Sequence, residues 1–271
     1  MRSKLRSVFA LATAAAIAFG MAGASVAATI PVSGVGGKWT ALMPPEGPTN
    51  VTGLNTSSVR WGTPFVGPGG TGQQSGYSFV GAAAGNIETG EDFILGTFTH
   101  NNFVIKTGTS IDGANLGVIV DLIIGGVTRS VSTAFRFNHD ETKNGGESNG
   151  LCKNGAANGA GVNSAGCADR VSLSDNTASN ESFEIGGLLY ILEITGFTVA
   201  GQLLTEFWTT ENAANSAILK ARFTLVGPTD GGGGGGGGGE PVPSPVPLPA
   251  AGWMILSALG ALSAMRMFRK A

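Results

Sequence analysis

With sixteen Lys/Arg against eighteen Asp/Glu in 271 residues, the chain is close to neutral, but the charge is unevenly placed. Arg2, Lys4, Arg6, Arg266, Arg269 and Lys270 lie at the two ends, which leaves eighteen acidic residues against ten basic ones in between. An acidic, loop-rich body without a basic patch argues against nucleic acid as a partner. The roughly 200 residues of that body suffice for one sizeable domain and not for two.

In chain order the first element is an export signal. Residues 1–7 carry three cations and residues 8–23 are apolar. Small residues then allow a cut after Ala27, with Ser25 at −3, or after Ala28, with Val26 at −3. Charged, apolar and small regions in that order are the three parts of a secretory signal. The apolar region is too short and alanine-rich for a spanning helix, so residues 1–28 are expected to be removed.

From 29 to 228 no long amphipathic helix is visible, and period-two alternation recurs instead. In 127–137, Val127, Val131, Thr133, Phe135 and Phe137 share one face, with Thr128, Ser130, Ser132 and Arg136 on the other. In 217–225, Ala217, Leu219, Ala221, Phe223 and Leu225 alternate with Lys220, Arg222 and Thr224. The nearly continuous apolar runs 117–124 and 188–194 are expected as central strands. Further strands are read at 58–65, 77–81, 92–99, 103–107, 182–185 and 203–209. About ten short strands between Gly, Pro, Asn and Asp turns indicate an all-β fold, a two-sheet antiparallel sandwich of jelly-roll or immunoglobulin-like type.

Three local signatures sit on this scaffold. In 95–105 two strands are expected to meet at His100, Asn101 and Asn102, since asparagine accepts positive φ and caps turns. His100 there is a ligand or base, or else it fixes the corner by hydrogen bonding. Beyond Phe137, the residues Asp140, Glu141, Asn144 and Glu147 are hard oxygen donors that suit calcium, without the EF-hand spacing. A solvated acidic loop is the alternative, and no other cofactor is implied. The loop 147–169 holds the only cysteines, Cys152 and Cys167. An even count in an exported chain points to a disulfide, and two thiols without neighbouring histidines make a poor zinc site.

Past residue 228 the composition changes. Nine glycines at 231–239 behave as flexible coil, and the proline-rich 240–249 favours an extended spacer, so 229–245 reads as a linker. Residues 250–265 are apolar and uncharged, sixteen in all. A spanning helix needs about 20, and snorkelling of Arg266 would add Met267 and Phe268 to the span. Arg266, Arg269 and Lys270 suit the cytoplasmic face of a membrane. Gly252 and Gly260 make the anchor weak, which suits a tail later removed by a sorting enzyme.

Val246, Pro247, Leu248, Pro249 and Ala250, followed by the short apolar helix and the basic end, resemble the VPLPA-CTERM form of the PEP-CTERM sorting signals. The resemblance implies that 246–271 is recognised by an exosortase-type membrane enzyme. It also implies transient membrane anchoring through the C-terminal helix and delivery of the body to the cell envelope, surface or exterior.

The body carries a second resemblance. Arg60-Trp61-Gly62, the stretch 96–102, the run Asn138-His139-Asp140-Glu141-Thr142 with Asn144, the stretch 167–171, Gly196-Phe197 and Thr209-Thr210-Glu211 occur in that order. The set resembles the THxN family of PEP-CTERM proteins and the overlapping choice-of-anchor K domain, over roughly residues 35–226. Thr99, His100 and Asn102 match the motif that gives the family its name. Where that family tends to have proline before the loop asparagine, this chain has Lys143. The resemblance supplies no catalytic residues. A structural or interaction protein of the surface or matrix is the leading expectation, not an enzyme. The alternative is a module that binds surface polysaccharide, or a glycan-active hydrolase. A hydrolase would need two carboxylates paired across a cleft or a nucleophile with its base. Asp92, Asp121, Glu193 and Glu206 are the strand carboxylates available for that pairing, and no Gly-x-Ser-x-Gly element is present.

Overall fold

The computed structural model describes residues 27–43, 50–174 and 182–229. The expected export signal, the glycine tract and the sorting tail with its apolar span lie outside these residues. Among the described residues no helix is long and apolar enough to cross a membrane.

Thirteen strands are described. They are β1 Thr29–Met43, β2 Ser58–Trp61, β3 Ser75–Gly81, β4 Gly85–Glu88, β5 Phe93–Asn102, β6 Gly113–Ile124 and β7 Val127–Asp140. After a single 3-10 turn at Gly161–Asn163 follow β8 Asp169–Leu173, β9 Phe183–Ile185, β10 Leu188–Val199, β11 Gln202–Leu204, β12 Glu206–Thr209 and β13 Ala213–Pro228. They form two antiparallel sheets. One has the order β12-β8-β7-β6-β1-β4, the other β11-β10-β13-β5-β3-β2, with β9 also pairing with β10. The expected all-β, two-sheet antiparallel architecture is what the chain forms.

The alternation seen in the sequence sets the inward faces. Val131, Thr133, Phe135 and Phe137 of β7 are buried, as are Ala217, Leu219, Ala221 and Phe223 of β13, whereas Val127 and Leu225, expected on the same faces, lie near the strand ends and are exposed. The apolar run in β6 behaves differently from a fully enclosed strand. Val118, Val120 and Leu122 point inward, while Ile119 and Ile123 are exposed on the outer face, 44% and 36%. Each sheet has only one covered face, so half of a central strand still meets solvent.

Three expected boundaries change. The segment 203–209 is two strands in different sheets, because the chain crosses the sandwich at Thr205 between β11 and β12. The segment 103–107 is not a strand. It lies beside 63–65 through Phe65 N–H to Val104 O and Lys106 N–H to Thr63 O. His100, Asn101 and Asn102 are not a corner between two strands. They are the last three residues of β5, extended and paired with Asn215, Ala214 and Ala213 of β13.

β1 has no alternating signature because Gly34, Gly36 and Gly37 interrupt it, yet it pairs with β6 almost throughout, with two register shifts. One of these glycines, Gly37, has a packing role. A Cβ at Gly37 would run into the Phe79 ring from the opposite sheet. At Gly81 of β3 a Cβ would overlap the Val35 carbonyl, so the close approach of β1 and β3 requires glycine. Gly81→Ala is therefore expected to destabilise by about 1–3 kcal/mol through overpacking, read as a lower urea midpoint.

Candidate functional site

The resembling stretches, scattered through the sequence, converge on one end of the core. β5 places every second side chain inward, so His100 and Asn102 emerge side by side and fully buried, while Thr99 turns outward to Ser216 Oγ at 2.8 Å. Both inward residues reach Thr209 of β12 in the opposite sheet. Asn102 Nδ2 donates to Thr209 O at 3.0 Å. The Thr209 hydroxyl donates to Asp169 O at 3.0 Å and so accepts from His100 Nδ1–H at 2.9 Å. The His-x-Asn spacing is thus a clamp between the sheets. Its imidazole is neutral, since burial pushes the His100 pKa well below its ordinary value.

A second chain of contacts starts at β3. Tyr77 Oη and His139 Nδ1 lie 2.7 Å apart, and His139 Nε2 lies 3.3 Å from Glu141 Oε2. Ser110 Oγ donates to that same carboxylate oxygen at 2.9 Å. A carboxylate only accepts, so Nε2–H donates to Glu141 and the Tyr77 hydroxyl donates to Nδ1. Trp61 packs over the group, near-parallel to His100 at 6.0 Å and edge-on to His139 at 5.4 Å.

Two more carboxylates complete the cluster, and both are wholly buried. Asp169 Oδ1 accepts the Thr142 N–H at 2.6 Å, whereas Oδ2 has no partner. Glu211, just beyond β12, has no hydrogen bond to either oxygen. Asn102, Asn144 and the Asn212 backbone lie near enough to offset part of that cost, without good hydrogen-bond geometry. Burial, followed by repulsion from Glu141, raises the Glu211 pKa to about 8. Burial, with Glu141 and Glu211 as further causes, raises Asp169 well above the ordinary range. Between its ordinary pKa of about 4.3 and 8, folded Glu211 keeps a proton that the unfolded chain has lost. Its contribution to stability therefore falls as pH rises through that window. Glu211→Gln is expected to flatten this dependence, measured as urea midpoints at pH 5 and pH 8 in chelator-treated buffer. An equal slope in the variant would assign the pH dependence to other groups.

Neither a scan against protein-family models nor a search of the curated proteins returned a match. The site therefore has to be read from its own geometry.

That geometry divides the oxygen donors expected for calcium. Glu141 and Asn144 belong to the cluster. Asp140 faces the other way and pairs with Lys153 at 2.6 Å and Arg170 at 3.3 Å, while Glu147 is exposed. The four do not form one ligand set. The four carboxylates expected in strands, of which Asp92 lies just before β5, do not pair with each other either. Asp92 binds Arg222, Asp121 accepts from Ser130, Glu193 accepts from Thr224, and Glu206 meets Arg170.

Cys152 and Cys167 form a disulfide, with Cα atoms 5.2 Å apart. It supports the cluster directly. Cys167 N–H donates to Asn144 O, and the Thr142 hydroxyl reaches Cys167 O and Ala168 O at 3.1 Å each. Inside the ring Asn163 is fully buried and bonds Asn154, Ala157 O and the Ala168 N–H. A side-chain amide orders this loop where apolar packing is absent. Sequence reading missed Tyr77, Ser110, Asp169 and Glu211 as site residues. The run 167–171 and Thr209-Thr210-Glu211 were noted only as resembling motifs, and neither has a spacing that points at His139.

Proposed function

We propose that this is an exported, surface-displayed structural or interaction protein, a disulfide-braced β-sandwich on a glycine- and proline-rich tether. The observation that carries the reading is where the reactive side chains lie. Tyr77, His100, His139, Asp169 and Glu211 are at most 5% exposed, inside a core that joins the two sheets. Groups so placed hold the fold together and are out of reach of a polymeric substrate. Within the sandwich class we favour a jelly-roll type, because the chain changes sheet repeatedly, from β3 to β4 to β5 to β6 and again around β12.

A binding function has its own support in an open hollow of about 730 Å³ on the outer side of the six-stranded sheet, within the size of small-ligand sites. Gly36, Lys38, Thr40, Gly117, Ile119 and Ala134 line it. A glycan array with the purified protein, alongside a Gly36→Trp variant that fills the hollow, tests the polysaccharide reading. Gly36 has open space at its Cβ position, so the variant leaves the packing intact. Retention of a glycan by the wild type and loss in the variant places binding there. No retained glycan leaves the structural role.

Two expected results test export and sorting. Ala28 N–H donates to Thr89 Oγ1 at 2.9 Å and Thr89 N–H donates to Ala28 O at 3.0 Å, a pair that seats the start of β1. A cut after Ala27 keeps both bonds, so the mature chain is expected to begin at Ala28 and not at Thr29, as checked by intact-mass spectrometry. Pro247→Ala with Pro249→Ala should leave membrane insertion intact and abolish removal of the tail, seen as precursor persisting in the membrane fraction. Wild-type processing in that variant leaves only a plain membrane anchor.

A further inference from the structure

We propose that His139, Glu141 and Asp169 hold one divalent transition-metal ion of the zinc type. One ligand atom from each lies within 4.8 Å of the other two, close enough for small side-chain movements to bring all three onto one ion. His139 Nε2 and Glu141 Oε2 are 3.3 Å apart. That is about the edge of a tetrahedron with metal–ligand bonds of about 2.0–2.1 Å. Asp169 supplies the independent sign of a missing partner, because it is wholly buried and its Oδ2 touches no donor.

The surroundings fit an ion better than an empty polar core. Asp169 and Glu211 lie buried, and the part-exposed Glu141 stands with them in the cluster. Arg170, next to Asp169 in sequence, and Lys153 are turned outward to Asp140. Burying a carboxylate is costly unless it is protonated, and a divalent cation removes that cost for the ionised form. The supporting shell is also in place. Tyr77 Oη sits on His139 Nδ1, Ser110 holds Glu141, and the Thr142 N–H holds Asp169. Metal-binding histidines characteristically have their second nitrogen engaged in this way. The site borders solvent through Glu141, which lines a second hollow of about 730 Å³ with Ser110, Thr142 and Asn144. The imidazole nitrogen decides the class of ion, because calcium and magnesium take oxygen donors whereas zinc-type ions favour imidazole.

Binding requires a change of tautomer. Without an ion, Nε2 carries the proton and donates to Glu141. With the ion on Nε2, the proton moves to Nδ1 and is donated to Tyr77 Oη. The test uses the untagged full chain, disulfide intact, stripped with a chelator and titrated with zinc by calorimetry. One zinc per chain is expected, with affinity at least about 100-fold weaker in Glu141→Gln and His139→Gln. Glu141 lies at the wall of the hollow, so Glu141→Gln keeps the test valid if the histidine variant fails to fold. Nitrogen-15 NMR of the imidazoles should show His139 passing from the Nε2–H to the Nδ1–H form on saturation. The chain has two histidines, and His100 keeps Nδ1–H throughout, so the signals are separable. The proposal is overturned by absence of zinc binding, by unchanged affinity in Glu141→Gln, or by an unshifted His139 tautomer. Calcium binding more tightly than zinc overturns it as well.

Discussion

Phe98→Ala is expected to destabilise the domain by about 3–5 kcal/mol, a large fraction of the stability of a typical domain. Phe98 lies in β5, fully buried, with its ring within 6 Å of five others: Trp39, Tyr77, Phe137, Phe197 and Phe207. Those rings come from both sheets, with Trp39 in β1, Phe137 in β7 and Phe207 in β12 on one side, and Tyr77 in β3 and Phe197 in β10 on the other. Truncation therefore opens a cavity at the junction of the two layers, where rigid neighbouring rings limit collapse. Urea unfolding followed by tryptophan fluorescence reads the effect directly, since Trp39 is a neighbour. Val127→Ala, on a side chain 59% exposed, is the control and should stay within about 0.5 kcal/mol of wild type. A Phe98→Ala loss below about 1.5 kcal/mol would mean that the two sheets do not share this aromatic core.

Replacing Cys152 and Cys167 by serine is expected to cost about 2–4 kcal/mol, mostly through the freedom returned to the unfolded chain. The separation of fifteen residues gives about 3 kcal/mol on the loop-entropy model. The folded state should feel the loss locally as well. Cys167 is two residues before Asp169, and its N–H and carbonyl are tied to Asn144 and Thr142. Hydrogen exchange in the double variant should therefore rise at 142–146 and 152–169, and remain protected in β5, β6 and β13. An unchanged melting temperature would count against a structural role for the bridge.

The THxN stretch illustrates what strand periodicity gives and withholds. Two residues apart on an extended chain means one face, so His100 and Asn102 had to act together once β5 was known to run through them. The asparagine pair suggested a turn instead, because isolated Asn-Asn favours positive φ. Hydrogen bonding to β13 on one side and β3 on the other kept the chain extended. The oxygen donors expected for calcium are divided for a related reason. Asp140 and Glu141 are adjacent, so at the end of β7 they leave on opposite sides. Asp140 went to the surface cations and Glu141 to His139.

By itself the sequence determined the all-β class, the inward faces of β7 and β13 and the pairing of its two cysteines. Each of these follows from short-range periodicity or from the presence of a single pair of cysteines. Tertiary structure alone decided that β1 is a strand despite its glycines, since β6 and β4 satisfy its backbone and Phe79 occupies the space that a side chain at Gly37 would need. It alone split 203–209 between two sheets. It alone brought Tyr77, His139, Glu141, Asp169 and Glu211 to one buried point. These residues are separated by up to 134 positions, and their meeting depends on strand order across both sheets, which no local pattern encodes.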